Sequence, residues 1–463
     1  MKIWSAVTLV GLVATTAAAA GAPVRSSILA QVTGDEPEYL LTALSLAEDR
    51  SLDISNQIEQ QRYREFHEVD LSPQARVLED GRMVSPHDPL LPLVLALPMA
   101  MGGYLFAKLT ISLMAGVLAG LLVWLAVRRF EVGVLPAALT VGIFGTSAPV
   151  AIYGSQVYPE MAAALALAVT VGGLSGPLRA RGLGAVVAGV VALSWLGTKY
   201  IPVAAVAAAI ALIRLWKGGR RRELALVTAG FSVCAVLYFA GHLLWYGALT
   251  VYATGQHFSQ TGQFSVVGVS PDYLSRASRL IGLLVDGRFG LAAWQPAWLL
   301  TVPAIAALAT VRPRNWTVLF APMLTGWLMA TFPALTMHGF WSPGRQVVVV
   351  LPLAVLAIAW WVGRSRKSLA ALIGLGAAGV LNLGWLFWEG HTAGMTLAVH
   401  FQDTSSPVYR GLSTILPHYM VDSPRTWILH GAWAAAALIV GALAVRRARH
   451  PAARTLGTSS TPA

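Results

Sequence analysis

The sequence predicts an all-α membrane protein with about a dozen transmembrane helices. Two observations carry this reading. The chain of 463 residues is 56% hydrophobic and only 12% charged, and its apolar residues gather in blocks too long for a soluble core. The blocks also approach the roughly 20 residues that a helix needs to cross about 30 Å of hydrocarbon. They lack the alternation of barrel strands, and lipid leaves a helix as the other way to pair the backbone polar groups.

Taken in order, the blocks run 3–21, 103–127, 133–152, 160–177, 183–198, 200–216, 224–246, 291–311, 316–335, 346–363, 368–388 and 427–445. Every second connection is basic. These connections hold Arg128 and Arg129, Arg179 and Arg181, Arg214 to Arg222, Arg312 and Arg314, Arg364 to Lys367, and Arg446 to Arg449. Lys and Arg in short loops are retained on the cytoplasmic side, so both termini are expected in the cytoplasm of a multi-pass cell-membrane protein. Only Glu131 and Glu223 among the acids fall in those loops. The net charge of +12 therefore reflects topology and contact with membrane lipids, with no nucleic-acid partner.

The first block follows Lys2 and contains a run of alanines, so it reads as a retained span or a cleaved signal peptide. We take the retained span, and either choice places residue 23 onward outside. The single Cys234 lies inside a span and excludes an internal disulfide.

Three stretches are too polar for the membrane and too long for tight turns: 22–102, 247–290 and 389–426. All fall on the extracytoplasmic side. The chain thus divides into a core at 1–388 that includes the loop 22–102, an external loop with the last helix at 389–449, and a tail at 450–463. The tail is rich in Ala, Thr, Ser and Pro and reads as disordered cytoplasmic chain.

Within the first loop, Pro37 with Leu40, Leu41, Leu44 and Leu46 predicts a short amphipathic helix beginning just after Asp35 and Glu36. A carboxylate there can cap the helix or do chemistry, and the local residues leave both open. Residues 89–102, PLLPLVLALPMAMG, are apolar but too short to span. They predict an interfacial or re-entrant segment that brings His87 and Asp88 near the lipid headgroups, or else a plain hairpin into the next span.

An enzyme acting on a lipid-linked substrate needs a base, a cation for phosphate and a groove at the interface. Candidates for base and cation fall on one side of the bilayer. Asp35 and Glu36 follow the first span, Glu160 opens the fourth in VYPE, Lys199 sits in LGTKYIP, Arg288 in VDGRFG and Arg345 in WSPGR. Each also has a plain structural reading. Lys199 could snorkel, Arg345 could anchor an aromatic belt, Glu160 could answer a helix dipole, and Arg288 could pair with Asp286. No HExxH or CxxC spacing marks a metal site, and no Walker loop, dinucleotide fingerprint or GxSxG elbow is present. A secondary transporter or lipid flippase is the main rival, although its ionisable groups belong at mid-span, where Lys108 is the nearest example. A scaffold with solvated carboxylates is the third reading.

At these residues the chain resembles the GT-C superfamily of integral-membrane glycosyltransferases, particularly the family-39-like branch of protein O-mannosyltransferases and the aminoarabinose transferase of lipid A. Asp35, Glu36 and Tyr39 in GDEPEYL resemble its DExxY, and His87, Asp88, Pro89 and Leu90 its HPPL or KPPL element. LGTKYIP is similar to its LTKGP stretch, while VDGRFGLAAWQP and WSPGRQVVVVLPL are similar to later elements. The order agrees, and the resemblance covers residues 1 to about 365. The chain departs from the pattern where Asp88 replaces a proline and the cation of KPPL is absent. It also carries no sizeable soluble C-terminal domain, which leaves acceptor recognition to external loops or to the membrane.

The resemblance implies a GT-C-like core and transfer of a hexosyl or pentosyl group from a polyprenyl-phosphate sugar donor. The acceptor is a hydroxyl of a lipid, glycan or protein on the extracytoplasmic face, and inversion is expected. Asp35 would be the general base, with Glu36 or Glu160 orienting hydroxyls and Lys199 and Arg345 stabilising the departing phosphate. Tyr39, His87, Asp88 and Arg288 complete the implied substrate-binding set. No cofactor is required, and a divalent metal is compatible with the reaction without being indicated.

Overall fold

The structure is a computed structural model, and it describes residues 2–251, 272–334, 336–337, 341–392 and 394–449. The expected tail at 450–463 and residues 252–271 of the loop 247–290 lie outside these residues. Among the described residues, seven helices are long and apolar enough to cross a membrane: Ile3–Gly21, Leu90–Arg129, Thr198–Lys217, Arg221–Tyr246, Arg345–Val362, Arg366–His391 and Pro424–Arg449. Shorter apolar helices at Val134–Gly145, Pro159–Ser175, Ala180–Leu196, Pro296–Val311 and Trp316–Thr331 occupy the remaining expected blocks.

Small residues let the bundle close. Helix α1 (Ile3–Gly21) buries Ala6, Val10, Ala14 and Ala18, a four-residue repeat that makes one narrow face. That face packs on the second long helix, where a Cβ on Gly116 would come within 2.7 Å of the Gly11 carbonyl oxygen. Close backbone approach through small residues is the usual way helices associate where lipid supplies no hydrophobic drive. Helix Leu351–Val362 lies at the centre and is buried on nearly every side, as its unbroken apolar sequence requires.

The long loop 22–102 folds as expected into helix α2 (Glu36–Glu48), with Pro37 in its first turn. Its polar face is not left to solvent, however, because every residue from Glu36 to Ser45 is buried. The later part of the same loop covers it: Gln74 N–H donates to Glu38, and the ring of His87 lies 4.5 Å from that of Tyr39. A two-stranded hairpin, Arg76–Val77 with Met83–Val84, closes this cover.

The segment 89–102 is set apart from the span that follows, as expected: Gly102 and Gly103 leave helical geometry and break the stretch Leu90–Arg129, helix α3, into two arms, of which 89–102 is the first. Pro92 falls in the first turn, where no intrahelical bond is lost. The arm buries Leu91, Leu95 and Met99 and exposes Leu93, Val94, Leu97 and Met101. The block 133–152 is also broken. Helix α4 (Val134–Gly145) ends where the hydroxyls of Thr146 and Ser147 turn back to the carbonyls of Gly142 and Ile143.

The fourth to seventh blocks form helices α5 (Pro159–Ser175), α6 (Ala180–Leu196), α7 (Ile201–Lys217) and α8 (Arg221–Tyr246). Basic connections converge at one end of the bundle, where Arg220 donates to the Leu178 carbonyl at 2.6 Å and Asn315 to that of Ser175 at 2.8 Å. The candidate site residues lie at the opposite end. Lys108 belongs to that end as well, since its ammonium donates to the Ala22 carbonyl just past α1 at 3.2 Å.

Candidate active site

Asp35 precedes α2, yet its carboxylate makes no hydrogen bond to the helix start. It accepts instead from Arg345 Nη2, and the Nε2 of His87 lies 3.7 Å away. The capping explanation therefore does not account for this residue. Asp35 keeps 23% of its side chain exposed, so it is not sealed in. Burial pushes its pKa up, but Arg345 and His87 outweigh that and hold it below the usual carboxylate range.

Arg345 comes from the turn after Gly344, whose φ of 80° no β-carbon residue adopts easily. A Cβ there would also press on Leu291 at 2.9 Å and Pro149 at 3.0 Å. The guanidinium lies over the ring of Tyr158 at 4.2 Å and near Trp341 at 5.2 Å. Its Nε donates to Glu160 Oε1 at 3.1 Å, and the same oxygen accepts from Lys199 Nζ at 2.7 Å. Acids and cations thus alternate in the order Asp35, Arg345, Glu160, Lys199. Glu160 is the second residue of α5, where the helix dipole also favours its charge. Lys199 sits in the turn between α6 and α7 with 21% of its side chain exposed, so it neither snorkels alone nor is sealed in.

Other expected site residues have different surroundings. Both oxygens of Glu36 are engaged by the chain, Oε1 by Val157 N–H at 2.8 Å and Oε2 by Ser26 Oγ at 2.9 Å. It clasps the segment before α2 to the segment before α5. Asp88 accepts from Thr198 N–H at 2.9 Å and Tyr238 at 3.3 Å, with His242 Nε2 at 3.0 Å. It therefore ties the first loop to the α6–α7 turn and to α8. His87 bridges Asp35 and Ser85, whose Oγ lies 2.7 Å from Nδ1. Tyr39 is buried beneath His87.

Arg288 is not in this cluster, and it does not pair with the Asp286 carboxylate. Asp286 accepts from the backbone N–H groups of Arg288 and Tyr419, at 2.9 Å and 3.1 Å. The Arg288 side chain lies instead against Phe289 and Phe401.

Sequence reasoning missed Tyr158, although it stands in the VYPE motif, along with Glu38, Gln156 and the Tyr238–His242 pair. Glu38 is buried beside Asp35 and His87, and burial pushes its pKa up to about 7. Its Oε2, the Oε2 of Glu160 and both amide atoms of Gln156 are buried without a partner among the described residues. Such orphans are few in folded proteins, and the Glu160 oxygen lies within the cluster, where a ligand's hydroxyl could meet it. No group of three or more His, Cys, Asp or Glu among the described residues is spaced to hold a metal ion.

Comparisons with known proteins bear on the fold. No protein-family model and no curated protein sequence matches the chain. A crystal structure of ArnT from Cupriavidus metallidurans bound to undecaprenyl phosphate matches 95% of this chain and 72% of its own, with a TM-score of 0.52 and 18% identity. The described helices, with the loop 22–102 folded over their ends, thus share the fold of that ArnT structure.

Proposed function

We propose that this protein transfers a sugar from a polyprenyl-phosphate donor to a hydroxyl acceptor on the extracytoplasmic face of the cell membrane, with Asp35 as general base. The observation that carries the reading is the alternating cluster of Asp35, Arg345, Glu160 and Lys199 at the outer end of the bundle. It joins a partly exposed carboxylate to cations without using that carboxylate as a cap. The undecaprenyl phosphate of the ArnT structure supports a lipid phosphate as the donor's leaving group.

The chemistry follows from the charges. The acceptor oxygen gives its proton to Asp35 and attacks the anomeric carbon from the face opposite the phosphate, with inversion. The carbon–oxygen bond to phosphate breaks, and its electron pair leaves on the phosphate oxygen. Arg345 and Lys199 stabilise that growing charge more in the transition state than in the bound donor. A donor phosphate also competes with Asp35 for Arg345, so donor binding frees the base. Glu36 positions Asp35 through its clasp on Val157 and Ser26, while Glu160 holds both cations.

In this reading all twelve apolar blocks cross the bilayer, both termini are cytoplasmic, and 389–449 is an external loop with its helix on a core at 1–388. The exposed apolar side of the 90–101 arm lies along the lipid surface. Charges at the outer helix ends favour interfacial chemistry over transport, for which mid-span ionisable groups would be expected.

Asp35→Asn tests the assignment. Purified protein in lipid nanodiscs, supplied with a panel of radiolabelled polyprenyl-phosphate sugars and crude envelope acceptors, should lose about 10²–10⁴-fold in transfer while still binding undecaprenyl phosphate. Full turnover by the variant removes Asp35 as the base.

A further inference from the structure

A hollow separate from the charged cluster opens on the loops after residue 286. It measures about 540 Å³ and is lined by Gly287, Arg288, Gln402, Thr404, Arg410 and His418, among others. That volume is within the roughly 300–1,000 Å³ of small-ligand sites. We propose that it binds an oxyanion carried by the acceptor at a position separate from the hydroxyl that reacts. This inference rests on the transferase reading and adds the acceptor's charge to it.

The guanidinium groups support an anion. Neither Arg288 nor Arg410 has a carboxylate within ion-pair distance among the described residues, and the Nε of Arg288 is buried without an acceptor. Arg410 uses its Nε on the Thr404 carbonyl at 3.1 Å. This holds the side chain while the remaining donors stay available. One acid, Asp403, also lines the hollow, and its carboxylate faces His400 at 3.4 Å. A planar guanidinium fork suits phosphate or carboxylate, and burial of Nε without a partner is costly until such a ligand arrives.

One strap links the hollow to the catalytic cluster. Leu397 and Ala398 N–H groups donate to the carbonyls of Arg25 and Ser26, both at about 3 Å, and Ser26 in turn holds Glu36 beside Asp35. A few residues on, Phe401 packs on Phe289 and Trp294, and Gln402 to Thr404 line the hollow. Leu291, just after Arg288, touches the turn that delivers Arg345. An acceptor held by its anion in the hollow would therefore sit on loops fastened to the base and to the donor cation.

The test uses the full chain in neutral phosphatidylcholine nanodiscs, with inorganic pyrophosphate as the soluble probe and undecaprenyl phosphate as the donor probe. The Arg288→Gln/Arg410→Gln double variant should bind pyrophosphate at least tenfold more weakly and keep its affinity for undecaprenyl phosphate, while Arg288→Lys/Arg410→Lys recovers part of the loss. Arg345→Gln should show the reverse pattern. Equal pyrophosphate binding by wild type and the double Gln variant, or no saturable binding by wild type, overturns the proposal. Displacement of pyrophosphate simply by replacing the disc lipid with phosphatidylglycerol assigns the hollow to a lipid headgroup and overturns the acceptor assignment. If undecaprenyl phosphate fails to bind wild type while pyrophosphate binds through the two arginines, the transferase reading fails and the anion site stands.

Discussion

Glu38 offers a titration that the sequence did not suggest. Its carboxyl is buried beneath the external loop, accepts one hydrogen bond from Gln74 N–H at 2.8 Å, and is pushed from 4.5 up to about 7 by burial, opposed by Gln74 and His87 and reinforced by Asp35. The unfolded group releases its proton near 4.5, so between 4.5 and 7 the folded loop binds more protons than the open one. Stability linked to Glu38 is then complete below 4.5 and is lost as pH rises through about 7. The shift corresponds to about 3 kcal/mol at about 1.4 kcal/mol per pH unit. The segment that opens is the loop carrying Gln74, so hydrogen exchange of peptides covering 70–78 is the assay. After correction for intrinsic rates, protection should fall by about two decades between pH 5 and 8 in wild type. Glu38→Gln, which retains an acceptor for Gln74, should show protection independent of pH over that range. Equal pH dependence in both proteins would refute the assignment of the titration to this carboxyl.

Other consequences follow from the same contacts. Because Arg345 and His87 hold Asp35 below its ordinary 3.8, the acid limb of kcat/KM should lie at low pH. Arg345→Gln should move that limb upward, and an unmoved limb in pH–rate profiles refutes the coupling. Asp88→Ala leaves donors of Thr198, Tyr238 and His242 without their acceptor. It should cost about 3 kcal/mol, read as a Tm several degrees lower for the purified protein, and an unchanged Tm counts against the hub. Gly116→Leu places a branched side chain against the Gly11 carbonyl. It should detach α1 from α3 and lower Tm, whereas Gly230→Leu, where a Cβ meets nothing within 4 Å, should not.

Much of the architecture was legible because membrane insertion is governed by local composition. A run of apolar residues must be helical in lipid wherever it sits in the fold, and basic loops report sidedness without reference to neighbours. The described helices accordingly occur in the expected blocks. The errors arose where a neighbour decided the outcome. Helix α2 carries an amphipathic pattern, but residues such as Gln74, 36 positions beyond Glu38, cover its polar face. The boundary of the 89–102 segment, by contrast, was local: Gly102 and Gly103 leave helical geometry where the sequence placed it.

The candidate site divides in the same way. Residue types, order and sidedness placed Asp35, Glu160, Lys199 and Arg345 on one face, because charge is confined to the water-facing ends of apolar helices. Which of these charges meet could not be read along the chain. Arg345 lies 310 residues from Asp35 and 185 from Glu160, and such contacts depend on how helices pack and where glycine turns aim a side chain. Tertiary structure alone separated Asp35, whose carboxylate meets a guanidinium and an imidazole, from Glu36 and Asp88, whose oxygens are filled by backbone and side-chain donors. The chain itself determined where charge is permitted, since solvation of each segment is a local property. Its pairing was decided in three dimensions, because Coulomb attraction and hydrogen bonds act over a few ångströms of space between residues far apart in sequence.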